Sequence, residues 1–108
     1  MKMKHNKLVR DKIPEIIKKD GAVPIIRIAD DEEYWQKLKE KLKEEVDEFL
    51  EESTEEELAD VLEVIYSICD FKKVNKERLE NLRKNKAEER GSFKEKIILD
   101  ETKEIYQK

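Results

Sequence analysis

The sequence is poor in the residues that break or staple a chain, with two glycines, two prolines and one cysteine among its 108 residues. A single cysteine, Cys69 in an apolar helical run, excludes an internal disulfide framework and fits a reducing, cytoplasmic setting. So few Gly and Pro argue against the many tight turns of a sandwich or barrel. No apolar stretch approaches the ~20 residues that span a bilayer, and the first ten residues lack the apolar centre of a secretory leader. The expectation is a soluble, cytoplasmic protein without a membrane partner.

What is abundant is charge. Asp, Glu, Lys and Arg make up 48% of the chain, and Glu, Lys and Leu recur throughout, as in long amphipathic helices. The formal net charge of −4 is unevenly spread. Residues 30–63 carry 16 acids and 4 bases, whereas residues 72–96 carry 10 bases and 5 acids, and residues 1–20 carry 7 bases and 3 acids. An acidic centre between basic flanks suits a cation held in the middle and an anion held around it. The acidic total and the lack of a reading motif argue against nucleic acid as a partner.

The order of elements follows from periodicity and caps. Asp11 is placed to cap a short first helix that ends at Asp20-Gly21, with Pro14 tolerated in its first turn. Trp35, Leu38, Leu42, Val46, Phe49 and Leu50 recur at three- and four-residue steps and predict a second helix over 31–52. Ser53-Thr54 interrupts it, and Thr54-x-x-Glu57 has the form of a capping box opening a third helix that runs to about Phe71. Leu58, Ala59, Val61, Leu62, Val64, Ile65, Ile68 and Cys69 cover most of that helix, which reads as the core element. Asn75 is placed to cap a fourth helix and Gly91 to end it. Residues 24–29 (PIIRIA) and 96–99 (KIIL) are β-branched and short, so they read as two strands that pair with each other or with a second subunit.

Two acidic motifs stand out. Glu45 and Glu48 lie three apart on the second helix, and Glu57 and Asp60 three apart on the third, so each pair shares a face. The two-residue connection makes these helices antiparallel neighbours. Folding back at Ser53 sets Glu48 level with Glu57, and Glu45 level with Asp60. Four carboxylates at the edge of a core repel one another and are poorly solvated, so they call for a cation or for raised pKa values. Oxygen donors with no usable histidine point to a hard cation, Mg²⁺ or Mn²⁺. Asp60 is the member least like ordinary surface, because Leu58, Ala59, Val61 and Leu62 surround it in sequence. The other reading treats the Glu-rich hairpin as the solvated face of a helical interaction module. A di-iron bundle is excluded, because it needs Glu-x-x-His motifs and the one histidine is His5.

The Glu-x-x-Glu and Glu-x-x-Asp pair resembles the signature of the all-α NTP pyrophosphatase superfamily, which includes MazG-like enzymes, dimeric dUTPases and phosphoribosyl-ATP pyrophosphohydrolases. The opening Lys7-Leu8-Val9-Arg10-Asp11-Lys12-Ile13-Pro14 is similar to one MazG-related subgroup. So is Arg90-Gly91-Ser92-Phe93 followed by a Lys/Ile segment, and the resemblance spans nearly the whole chain. It implies a mainly α fold, a MazG-like bundle of about four helices with a minor two-stranded β element, in one domain over 1–108. It also implies Mg²⁺-dependent hydrolysis of a nucleoside triphosphate between the α- and β-phosphates, with removal of non-standard nucleotides as one such role. Glu45, Glu48, Glu57 and Asp60 are then the metal ligands, with Glu44, Glu45 and Glu48 the catalytic carboxylates and Glu44 the candidate outer base. A homodimer or higher homo-oligomer is implied too. The alternative within that superfamily is a phosphoribosyl-ATP pyrophosphohydrolase of histidine biosynthesis. The eight residues between Glu48 and Glu57 are fewer than in many members and shorten the hairpin.

For the triphosphate, Arg83, Lys86 and Arg90 form one basic stripe on the fourth helix, while Lys7, Arg10 and Lys12 form a second basic group. Trp35, Tyr66 and Phe93 are the aromatic candidates for stacking on a base.

Overall fold

The computed structural model describes residues 2–105 and contains four α-helices: α1 (Ile13–Lys19), α2 (Asp31–Glu52), α3 (Glu55–Lys72) and α4 (Lys76–Arg90). The chain divides into two compact units, the first ending at Asn75 and the second beginning at Lys76.

In the first unit, α1 starts from Lys12 with no side-chain cap, so the expected cap by Asp11 is not made. Pro14 sits in its first turn, where a missing N–H costs nothing. Gly21, at φ 92°, closes the helix by donating its N–H to the Lys18 carbonyl at 3.0 Å. The N-terminus of α2 is capped by Asp30, whose carboxylate accepts from the Glu33 N–H at 2.8 Å.

Ser53 ends α2 in the left-handed region, and Thr54 opens α3 with its hydroxyl oxygen accepting from the Glu57 N–H at 3.4 Å. A left-handed residue followed at once by an N-cap reverses the chain in two residues. The start of α2 consequently meets the end of α3. Trp35 stacks on Phe71 with ring centres 5.7 Å apart, and Tyr34 meets the same ring edge-on at 5.4 Å. These contacts establish the antiparallel hairpin and its register. The arrangement that sets Tyr34 opposite Phe71 also brings Glu45 level with Asp60, and Glu48 level with Glu57.

The core of the hairpin is small, and its buried apolar residues are Leu38, Val64 and Cys69. The third helix is less enclosed than its apolar circumference predicts. Leu58 is 52% exposed and Leu62 46%, and Leu50 on α2 is exposed as well. A single hairpin covers one side of each helix, and Leu58 and Leu62 keep substantial surface facing out.

The second unit holds α4, ended by Gly91 at φ 86° with its N–H on the Ala87 carbonyl at 2.8 Å. None of the residues of α4 is buried. The minor two-stranded β element is not formed, since no strand occurs among the described residues. In the 24–29 segment Ile25 is 91% exposed, and Ile97, Ile98 and Leu99 are exposed in the other. β-branched composition favours extended backbone, but a ladder needs a second edge, and neither segment has one.

Candidate functional site

The candidate site lies wholly within the first unit, where residues 8–12 cross the α2–α3 hairpin. A cavity of about 380 Å³ is bounded by this segment, by Tyr34, Leu38, Lys41 and Glu45 of α2, and by Asp60, Glu63, Val64 and Ser67 of α3. The α2 lining residues recur at three- and four-residue steps, so one stripe of the helix forms one wall.

Glu45 is the buried acid of this wall, 7% exposed. Its Oε1 meets Lys41 Nζ at 3.1 Å, one turn earlier on the same stripe, while its Oε2 is buried without a hydrogen-bond partner. Across the hairpin, Asp60 Oδ1 accepts from Arg10 Nη2 at 2.7 Å. Glu57 uses Oε1 to accept from the Thr54 hydroxyl at 3.0 Å, and its Oε2 is also buried without a partner. The two helices therefore each present one carboxylate oxygen that has left water and found no donor. A group in that condition is costly.

Glu44 and Glu48 belong to a second opening, with Glu48 within side-chain reach of Glu45. They line an open groove of about 670 Å³ along α2, together with Glu40, Lys43, Asp47 and Glu51. Burial pushes the Glu44 carboxyl up, but the hydrogen bond from Lys7 at 3.0 Å and the charges of Lys41 and Lys7 outweigh it and hold it below the ordinary value. Glu48 is raised, chiefly by the charge of Glu45, with its own partial desolvation and the charge of Glu44 adding to the effect.

The four expected ligands are thus brought level along the hairpin but not onto one cavity. Glu45 and Asp60 line it, while Glu48 and Glu57 are not among its walls. No group of three or more His, Cys, Asp or Glu side chains converges tightly enough to hold a metal ion among the described residues. Lys7 and Arg10 lie instead on Glu44 and Asp60, as monovalent cations where a dication was expected. The donor set still suits a hard cation, since it is all oxygen and two of its oxygens are buried and unpartnered. Lys41 and Glu63, one turn from Glu45 and Asp60, were not singled out from sequence. Their helical spacing was the available signal.

The other expected residues are distributed more widely. Arg83, Lys86 and Arg90 are exposed on α4, in the second unit. Arg83 is held by Glu80 of its own helix through three hydrogen bonds of 2.6–3.1 Å. Trp35 is stacked on Phe71 and carries Lys72 and Lys39 over its ring at 4.6 and 5.2 Å. Phe93 is 99% exposed. Tyr34, at the cavity, has its hydroxyl pKa raised by burial and by the nearby charges of Asp11 and Asp70.

No family model matches the chain. It is similar to a Mycolicibacterium smegmatis protein described as uncharacterized, at 55% identity over 31 residues, which is 29% of this chain and 32% of that protein. The matched stretch thus spans about a third of that relative's length. No solved structure matches it. No helix among the described residues is long and apolar enough to cross a membrane.

Proposed function

We propose that the chain is a Mg²⁺-dependent nucleoside triphosphate pyrophosphohydrolase, cleaving between the α- and β-phosphates to release a nucleoside monophosphate and pyrophosphate. One observation carries the reading. Glu-x-x-Glu on α2 stands level with Glu-x-x-Asp on α3, and each helix holds a buried carboxylate oxygen without a donor. A hard dication is the ligand that such oxygens take without a proton. Mn²⁺ satisfies the same preference.

Glu45, Glu48, Glu57 and Asp60 are the residues that would hold the cation. When bound, Mg²⁺ supplies neutralisation of phosphate oxygens and acidification of water. The protein's own groups then orient the substrate and accept the proton. Glu44 and Glu48 line the open groove along α2. Glu44, which is not one of the four ligands, is the candidate to accept the proton from outside the cation's shell. Arg10 and Lys7 stand beside the carboxylates as cations for the triphosphate.

Assembly belongs to the same proposal. Leu50, Leu58 and Leu62 on the hairpin, with Ile25 and Ile28 before it, are exposed apolar side chains that a second copy would cover. A homodimer or higher homo-oligomer covers them, and residues 24–29 and 96–99 take their β partners there. The setting we propose is the cytoplasm.

A screen of nucleoside triphosphates with Mg²⁺, read out by pyrophosphate release, tests the reaction. Activity on at least one nucleotide, lost on chelation, is the expected result. Absence of pyrophosphate from every standard, deoxy and damaged nucleotide, together with no Mg²⁺ binding, would leave the helical interaction module as the better reading.

A further inference from the structure

Besides Lys41 of α2 itself, which meets Glu44 and Glu45, two cations from one short segment near the N-terminus lie on the acidic hairpin. Arg10 Nη2 is 2.7 Å from Asp60 Oδ1, and Lys7 Nζ is 3.0 Å from Glu44 Oε1. The segment is tacked down on both sides of these contacts by bonds that do not use the carboxylates. Upstream, Lys37 Nζ donates to the Asn6 carbonyl at 2.9 Å. Downstream, the Ile13 N–H donates to the Arg10 carbonyl at 3.0 Å as the chain enters α1. The bond to Asn6 ties the segment to α2 without using Lys7 or Arg10. Both side chains are about half exposed, so each has room to turn.

Beneath this segment lies Glu45, more than nine-tenths buried, lining the same cavity with an oxygen that has no partner. We propose that residues 7–10 form a cationic strap that competes with a divalent cation for the hairpin carboxylates. A cation held by Asp60 and Glu45 would free Arg10 for the polyphosphate, with Lys7 beside it on Glu44. This inference rests on the reading of the carboxylates as a cation site.

A dication on Asp60 takes over the carboxylate that Arg10 now holds, so the guanidinium is freed beside it, next to Lys7 on Glu44. A guanidinium and an ammonium so placed take the oxygens of a polyphosphate, the guanidinium in two-point fashion. The dication and the anion then bind cooperatively, each raising the affinity for the other. Alone, the dication must first displace the strap; with a polyphosphate present, the displaced guanidinium is paired again.

The test is calorimetric titration of the full chain with Mg²⁺, and with Mn²⁺, in the presence and absence of inorganic triphosphate. Wild type is compared with the Lys7→Gln/Arg10→Gln double variant, with helix content checked by circular dichroism. The strap predicts that the variant binds the cation roughly fivefold or more tightly in the absence of triphosphate. It also predicts that triphosphate tightens cation binding in wild type and much less in the variant. Arg10→Lys, which keeps the charge, should restore part of the wild-type pattern to the single Arg10→Gln protein. Equal or weaker cation binding by the double variant, with wild type binding normally, overturns the strap and leaves the carboxylate site standing. If neither protein binds either cation, the carboxylate reading and the strap fail together.

Discussion

Arg10 and Asp60, fifty residues apart, meet at 2.7 Å and tie the segment before α1 to the first half of α3. Their side chains are 55% and 39% exposed, so the pair contributes under about 1 kcal/mol to stability. Its importance lies in which carboxylate it occupies.

Asp60→Asn should therefore leave the metal-free fold within about 1 kcal/mol of wild type. It should cut pyrophosphohydrolase activity a hundredfold or more, about 3 kcal/mol of transition-state stabilisation. Melting with and without Mg²⁺ separates the two effects, since binding to the native state raises the wild-type melting temperature by mass action and that of the variant much less. A destabilised variant with an undiminished Mg²⁺ response would sink the assignment.

Glu48 supplies a pH signature. Its carboxyl is raised, first by the charge of Glu45, so the folded state holds that proton more tightly than the unfolded chain does. The contribution to stability is present below the ordinary carboxylate range and is lost as pH rises through the raised value. Glu48→Gln should then melt higher than wild type at about pH 7.5, and the advantage should vanish at about pH 4. Saturating Mg²⁺ should reverse the order at the higher pH. A variant that melts lower than wild type at about pH 7.5 without metal would refute the crowding of these acids.

The small core makes one apolar residue unusually costly. Leu38 is 1% exposed, between Tyr34 and Lys41 on the buried stripe of α2. Leu38→Ala should cost about 3 kcal/mol, through lost burial and the void left behind. Chemical denaturation monitored by helix signal measures it, and a loss below about 1 kcal/mol would mean that the hairpin is held together elsewhere.

Assembly is checked by mass. Light scattering at micromolar concentration should give a dimer or a larger symmetric assembly, and Leu58→Lys/Leu62→Lys should shift it toward monomer. A monomeric wild type would contradict the proposal that the exposed leucines are covered by a second copy.

The local sequence determined the helices and the hairpin. Three- and four-residue apolar spacing set α2 over Asp31–Glu52, and Thr54-x-x-Glu57 started α3 where expected, because caps and periodicity act within one or two turns. A two-residue connection between long helices leaves only the antiparallel arrangement, so the levels of Glu45 with Asp60 and Glu48 with Glu57 were legible in the sequence. Other features rest on contacts between distant parts of the chain. Nothing in the spacing of Lys7 or Arg10 indicates that they reach Glu44 and Asp60, across 37 and 50 residues. The tertiary structure also left residues 24–29 and 96–99 without strand partners among the described residues, because strand propensity cannot provide a second edge. It alone decided that Glu45 is buried with one oxygen paired to Lys41 and the other left without a donor, since the desolvation of a carboxylate depends on everything packed around it.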